Sequence, residues 1–163
     1  MRFIVSLLVL IFSLNVYSQS QVLPEDLKIL IGEWEGSITY LDYQTNKPFT
    51  MPANLVVEQG KNKYQLVLKN SYPNEPKANS SDKIKIAKDG MQLNNNTVIL
   101  KESLKNGDIK IQTEKKGKDD NKQALIRYTY TVENDNFSIK KEVQFNQEDE
   151  WIKRSEFNYK RKN

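Results

Sequence analysis

Apolar and polar residues alternate along most of this chain, in short runs broken by turn-forming residues. Glu33–Tyr43 carries Trp34, Gly36, Ile38 and Tyr40 on one face, and Thr50–Glu58 carries Met51, Ala53, Leu55 and Val57. Period-2 alternation is the mark of a strand with one face buried. It recurs in Lys63–Lys69, Lys83–Lys88, Met91–Leu93, Thr97–Leu104 and Asp108–Glu114, and again in Gln123–Glu133, Phe137–Phe145 and Glu150–Arg161. Asp89-Gly90 and Asn106-Gly107 are strong hairpin turns. Lys115–Lys122 reads as a solvated connection that contains the Asp119-Asp120 pair. Asn70–Ser81, with two prolines, reads as the one long loop. The expected fold is all-β, a closed antiparallel up-and-down β-barrel of roughly eight to ten strands, since closure removes the exposed edges of a long meander. An open sandwich fits the same turn spacing.

Two stretches depart from the strand pattern. Leu23–Ile31 reads as one short helix: Pro24 suits its first turn, Glu25 and Asp26 suit its positive end, and Gly32 stops it. Met1-Arg2 followed by the apolar run Phe3–Leu14 reads as a secretory signal peptide, too short to span a bilayer. Val16 and Ser18 place cleavage after Ser18, so residues 1–18 are the expected leader and 19–163 the mature domain. An uncleaved anchor is the competing reading. The expectation is an exported protein, periplasmic or secreted, with no stable membrane anchor after cleavage.

The composition narrows the chemistry. There is no cysteine, so neither disulfides nor a lipidated cysteine hold this protein. There is no histidine either, which excludes His-based acid–base work, most zinc sites and a His-ligated haem. No metal site and no cofactor is expected. The formal charge of +4 is mild, and lysines and acids are interspersed. No broad basic face for nucleic acid is expected. Nothing in the pattern specifies an oligomeric state.

The glycine-flanked Trp34 has a use in such a barrel. One end must be plugged, and the short helix with Trp34 can do it, with Gly32 and Gly36 giving the indole room. An even-stranded meander pairs its first strand with its last, so Trp34 should lie beside Tyr159 and Arg161. The guanidinium on the indole would be a cation–π pair.

Gly32-x-Trp34 after a short helix, eight-odd alternating strands and a late Arg161 resemble the lipocalin (calycin) superfamily. Avidin-like and fatty-acid-binding barrels begin similarly, so the resemblance stops at that level. Tyr40–Tyr43 has no counterpart in it, and the family's frequent disulfides are absent. The resemblance implies an exported binding protein for a small, partly apolar or amphiphilic ligand.

The inward faces are where such a ligand would sit. By alternation they carry Asp42, Glu102, Lys141, Lys153 and Ser155 among the aromatics Tyr40, Tyr64, Tyr128 and Tyr130. Apolar walls with a few convergent polar groups are the make-up of a ligand pocket. The competing reading turns the charged members outward near strand ends. Other functions stay open: an enzyme using interior Tyr, Asp, Glu or Lys, or a barrel that engages or inhibits a partner through its loops.

Overall fold

A computed structural model describes residues 21–145 and 149–162. The expected signal peptide and its cleavage site lie outside the described residues. A short helix, α1 (Pro24–Lys28), precedes ten antiparallel strands: β1 (Gly32–Leu41), β2 (Pro48–Gln59), β3 (Gln65–Ser71), β4 (Ser80–Lys85), β5 (Gln92–Leu93), β6 (Asn96–Ser103), β7 (Ile109–Asp119), β8 (Lys122–Val132), β9 (Asn136–Phe145) and β10 (Ile152–Arg161). They form one sheet in the order β4-β3-β2-β1-β10-β9-β8-β7-β6-β5. The sheet curls until its two ends meet. Ile86 bridges Leu93, and the Asn94 amide donates to the Lys85 carbonyl at 2.8 Å. The barrel is therefore nearly closed, with a short seam in place of a full ladder.

The interior at the helix end is solid. Val22, Leu27 and Leu30 pack with Trp34, Leu55, Val57, Phe137 and Val132, all 2% exposed or less. The Trp34 indole Nε1 donates to the Leu30 carbonyl at 2.8 Å, so the helix exit and the first strand are tied through one side chain. Asp26 fixes the helix from outside. It accepts from the Leu23 amide at 2.6 Å and pairs with Lys101 at 2.7 Å.

Gly36 has a specific steric role. An added Cβ would lie 1.9 Å from the Asn158 carbonyl oxygen of β10, so only glycine allows this close crossing. Trp34 faces Arg161 in the same β1–β10 register.

The helix ends at Lys28 and β4 begins at Ser80, inside the expected loop, and two further differences from the sequence reading bear on the site. Lys115–Asp119 is strand, not a solvated connection, and β7 joins β8 by the two-residue turn Asp120-Asn121. Both turn residues have positive φ, 48° and 60°, the geometry that hairpins favour and that Asp and Asn tolerate. The second difference is a bulge in β10. Lys153 pairs with Glu142 and Ser155 with Lys141, leaving Arg154 as the extra residue.

Candidate functional site

The barrel has two ends of different character, set by the direction of β1 and β10. At the closed end Arg161 lies with its guanidinium 4.2 Å from the Trp34 ring. The same group donates to the carbonyls of Ile29 at 2.6 Å, Ile31 at 3.3 Å and Asn134 at 2.9 Å. It thereby accepts the role of a cap for the helix exit, whose carbonyls have no helical partners. Tyr159, also assigned to this plug, stacks between Phe137 at 6.1 Å and Phe157 at 5.8 Å, further along the interior.

Above that floor lies a partly open cavity of about 180 Å³ that reaches the surface at the exposed Asp82 and Lys83 of β4. Leu55, Leu68, Ile84, Ile139 and Phe157 form its apolar walls. Tyr72, Tyr128, Tyr130 and Tyr159 add phenols, and Asn70, Asp82 and Asn94 supply polar groups. The Asn70 amide donates to Asp82 at 2.8 Å, which holds that carboxylate at the rim. Burial pushes the hydroxyl pKa of Tyr130 and Tyr159 well above the usual phenol range, so both stay neutral donors at any physiological pH.

At the opposite end, roughly 20 Å along the strands at the usual rise per residue, charged groups converge. Asp119 has its side chain only 2% exposed. Its Oδ2 accepts from Arg154 Nε at 2.7 Å, and its Oδ1 accepts from Lys141 Nζ at 2.8 Å and from the Tyr43 hydroxyl at 2.9 Å. The Arg154 guanidinium lies 4.7 Å from the Tyr43 ring and 5.6 Å from the Phe145 ring. One carboxylate thus joins the end of β7, the middle of β9, the start of β10 and the β1–β2 turn. A small apolar group, Ala124, Ile126 and Val143, packs at this end, with Tyr128, Phe145 and Ile152 against it.

The sequence-predicted residues divide accordingly. Tyr128 and Tyr130 line the cavity, and Lys141 faces inward at the mouth. Tyr40 stacks on Phe49 at 5.5 Å, and Tyr64 packs against the main core. Neither Tyr40 nor Tyr64 lines the cavity. Three charged candidates are elsewhere. Asp42 lies past the end of β1, where its Oδ1 accepts from the Gln44 and Thr45 amides and closes the turn. Glu102 is exposed near the end of β6. Lys153 is exposed and pairs with Glu156 at 2.8 Å. The β10 bulge is the reason for the last: it turns Lys153 out and Arg154 in. Ile152 and Phe157 are five positions apart, a spacing that no regular strand puts on one face, and that was the available signal.

Burial drives the Asp119 pKa up, but hydrogen bonds from Lys141 and Tyr43 and the Lys141 and Arg154 charges outweigh it, and the net pKa lies below the usual carboxylate value. Burial works against the Lys141 charge, yet Asp119 holds its pKa above the usual lysine value. The stability from Asp119 is present above its unfolded value of about 3.9 and is lost as pH falls through the lower folded value. The stability from Lys141 is present below about 10.4 and is lost as pH rises through the higher folded value. Chemical denaturation across pH should therefore show a plateau between about pH 5 and 9. Asp119→Asn should flatten the acid limb.

A larger, open depression of about 720 Å³ lies on the outer side, edged by Glu35, Asn54, Thr131, Asn136, Asn158 and Lys160. These edge positions alternate with the inward ones, while Gly36, Phe137 and Tyr159 form the floor, so the hollow lies over the saddle of the twisted sheet where β1 crosses β10. Among the described residues no three His, Cys, Asp or Glu side chains gather as metal ligands.

The chain resembles solved structures at the level of fold. The crystal structure of Rv2717c from M. tuberculosis aligns over 88% of this chain and 100% of that one, with a TM-score of 0.55 and 11% identity. A SAHS protein from Ramazzottius varieornatus aligns over 83% of this chain and 96% of that one, with a TM-score of 0.41 and 14% identity. A protein of unknown function from the DUF3598 family of Nostoc punctiforme aligns over 87% of this chain and 50% of that one, with a TM-score of 0.37 and 13% identity. No family model and no curated protein matches the sequence. The class of protein defined here is a ten-stranded antiparallel barrel with a helix-plugged end.

Proposed function

We propose that this chain is an exported, lipocalin-like binding barrel that takes a small, partly apolar molecule into its interior. The observation that carries the reading is the cavity of about 180 Å³ between apolar walls and tyrosine phenols. The space lies between inward-facing side chains of β2, β3, β8, β9 and β10 and opens at β4, which gives a small molecule a way in. The volume falls below the roughly 300–1,000 Å³ of drug-sized pockets. The ligand is therefore small, or only its apolar part enters. The phenols give contact area and hydroxyl handles together.

Titration with the neutral dye N-phenyl-1-naphthylamine tests this. Saturable fluorescence enhancement, reversed by octan-1-ol, is the expected result. Leu68→Phe, which fills the cavity, should abolish it in a protein that still melts cooperatively. A wild type without saturable enhancement would contradict the reading.

Export rests on the charged start, the short apolar run and the Val16-x-Ser18 site. N-terminal sequencing of the natively produced protein should begin at Gln19, in an exported fraction. Finding Met1 on protein from the cytoplasm would remove this part of the proposal.

A further inference from the structure

We infer that the open edge of β4 binds an extended, acidic peptide segment of a partner protein by strand addition. The inference goes beyond the binding-barrel reading: it rests on main-chain groups at the seam, not on what the cavity holds.

The sheet order ends at β4, and β4 forms a ladder with β3 alone. Beyond the Ile86–Leu93 bridge, its backbone reaches across the seam only through Lys85. The Lys85 amide donates to the Asn94 side-chain carbonyl at 2.8 Å, and the Lys85 carbonyl accepts from the Asn94 amide at 2.8 Å. Alternate residues of an antiparallel strand turn their N–H and C=O groups to the same side. The Ile86 amide donates toward β3, to the Tyr64 carbonyl at 2.9 Å, while Lys85 turns outward. Ser81 and Lys83 share the parity of Lys85, so their amides and carbonyls also turn outward. Both residues are exposed, and these groups meet no described backbone partner. Unpaired main-chain groups on an exposed edge are a template for one more strand.

Charge selects the strand. Lys83 and Lys85 stand on the outer face, alternating with the buried Ile84. Across the gap, β6 begins pairing with β7 at Thr97 and Glu114. Lys115, Lys116 and Lys118 therefore lie on a stretch of β7 whose ladder is with β8 alone. All five lysines are exposed, and no ion pair among the described residues engages them. Lysines on an edge discourage pairing with a second copy, which brings the same charge to the gap. An acidic strand meets the opposite charge at cross-strand positions instead.

Parity then fixes the pattern of the incoming segment. A residue opposite Lys83 points outward and is acidic. Its neighbour opposite Asp82 points to the other face, where Asp82, Lys83 and Ile84 border the cavity mouth. Asp82 already supplies a carboxylate there, so that neighbour is apolar. The segment recognised is an extended run of alternating acidic and apolar residues.

Amide NMR of the isotope-labelled protein at near-neutral pH tests this with two acetylated, amidated peptides. One is Thr-Glu-Val-Glu-Val-Glu-Thr, and the other is its lysine counterpart, Thr-Lys-Val-Lys-Val-Lys-Thr. The acidic peptide should shift the Ser81 and Lys83 amides to saturation and slow their hydrogen exchange. It should bind about threefold or more tighter than the lysine peptide, the worth of one or two cross-strand ion pairs. Lys83→Pro removes an outward amide at an edge position, where proline is tolerated, and should abolish binding. Lys83→Glu, a surface exchange, should reverse the preference between the peptides and stands as a test even where the proline variant fails to fold. No saturable shift at Ser81 and Lys83 in the wild type, or shifts without slowed exchange, would overturn the edge site. Equal binding of the two peptides would overturn the acidic partner. Concentration-dependent dimers formed through these amides without peptide would give the edge to a second copy and overturn the inference as well. Each of these failures leaves the cavity reading standing, which the dye titration decides separately.

Discussion

Replacing Trp34 by alanine will destabilise the protein by about 3–5 kcal/mol, the range for deleting a fully buried large aromatic. Trp34 is 1% exposed and sits where α1, β1 and β9 meet, 6.1 Å from Phe137. Its loss leaves a void beneath the helix and removes the partner of the Leu30 carbonyl. It also takes away the surface on which Arg161 lies. Arg161→Ala should cost less, about 1–3 kcal/mol, from its cation–π contact and charged hydrogen bonds. That variant should also change the Trp34 fluorescence. Urea unfolding measures both. A Trp34→Ala protein as stable as wild type would show that the helix end is held without the plug.

Asp119→Ala should be the most damaging change at the other end, at about 2–4 kcal/mol. Removing one partner of a buried ion pair typically costs 3–5 kcal/mol, and the partial exposure of Lys141 reduces that through solvent screening. The damage arises because Arg154 stays buried without its carboxylate. Adding Arg154→Met to Asp119→Ala should then cost little more than the single change. A double-mutant cycle read by urea unfolding gives the coupling directly. Additive effects would mean that the two groups act independently and that the cluster does not tie the strands together.

The fold was legible in the sequence because alternation and turn chemistry agree at most positions. Asp89-Gly90 and the asparagine-rich turns punctuate strands whose inward residues are evenly spaced. The adjacency of Trp34 and Arg161 was legible too, since a meander that closes pairs its first strand with its last. The mouth was not. Lys115–Asp119 looks like a solvated connection because lysines dominate the text and Lys115 interrupts the inward parity, yet Gly117 and Asp119 return to the parity of Ile111 and Thr113. Continuing that parity would have carried Asp119 inside. Arg154 was hidden by a bulge, which breaks the alternation that the assignment of Lys153 relied on. Asp42 was assigned inward for a related reason: β1 ends at Leu41, one residue before the alternation is cut by a turn. Chemistry concentrated where the regular period fails, which is where a period-based reading is weakest.

The central claim is that the ligand occupies the barrel interior, and side-chain NMR of the aromatic rings and the asparagine amides tests it most directly. Titration with octan-1-ol should shift the ring resonances of Tyr128, Tyr130 and Tyr159 to saturation and leave the Trp34 indole signal in place. Shifts confined to the outer-face residues Asn136 and Asn158, or no saturable shift in any interior tyrosine, would contradict it.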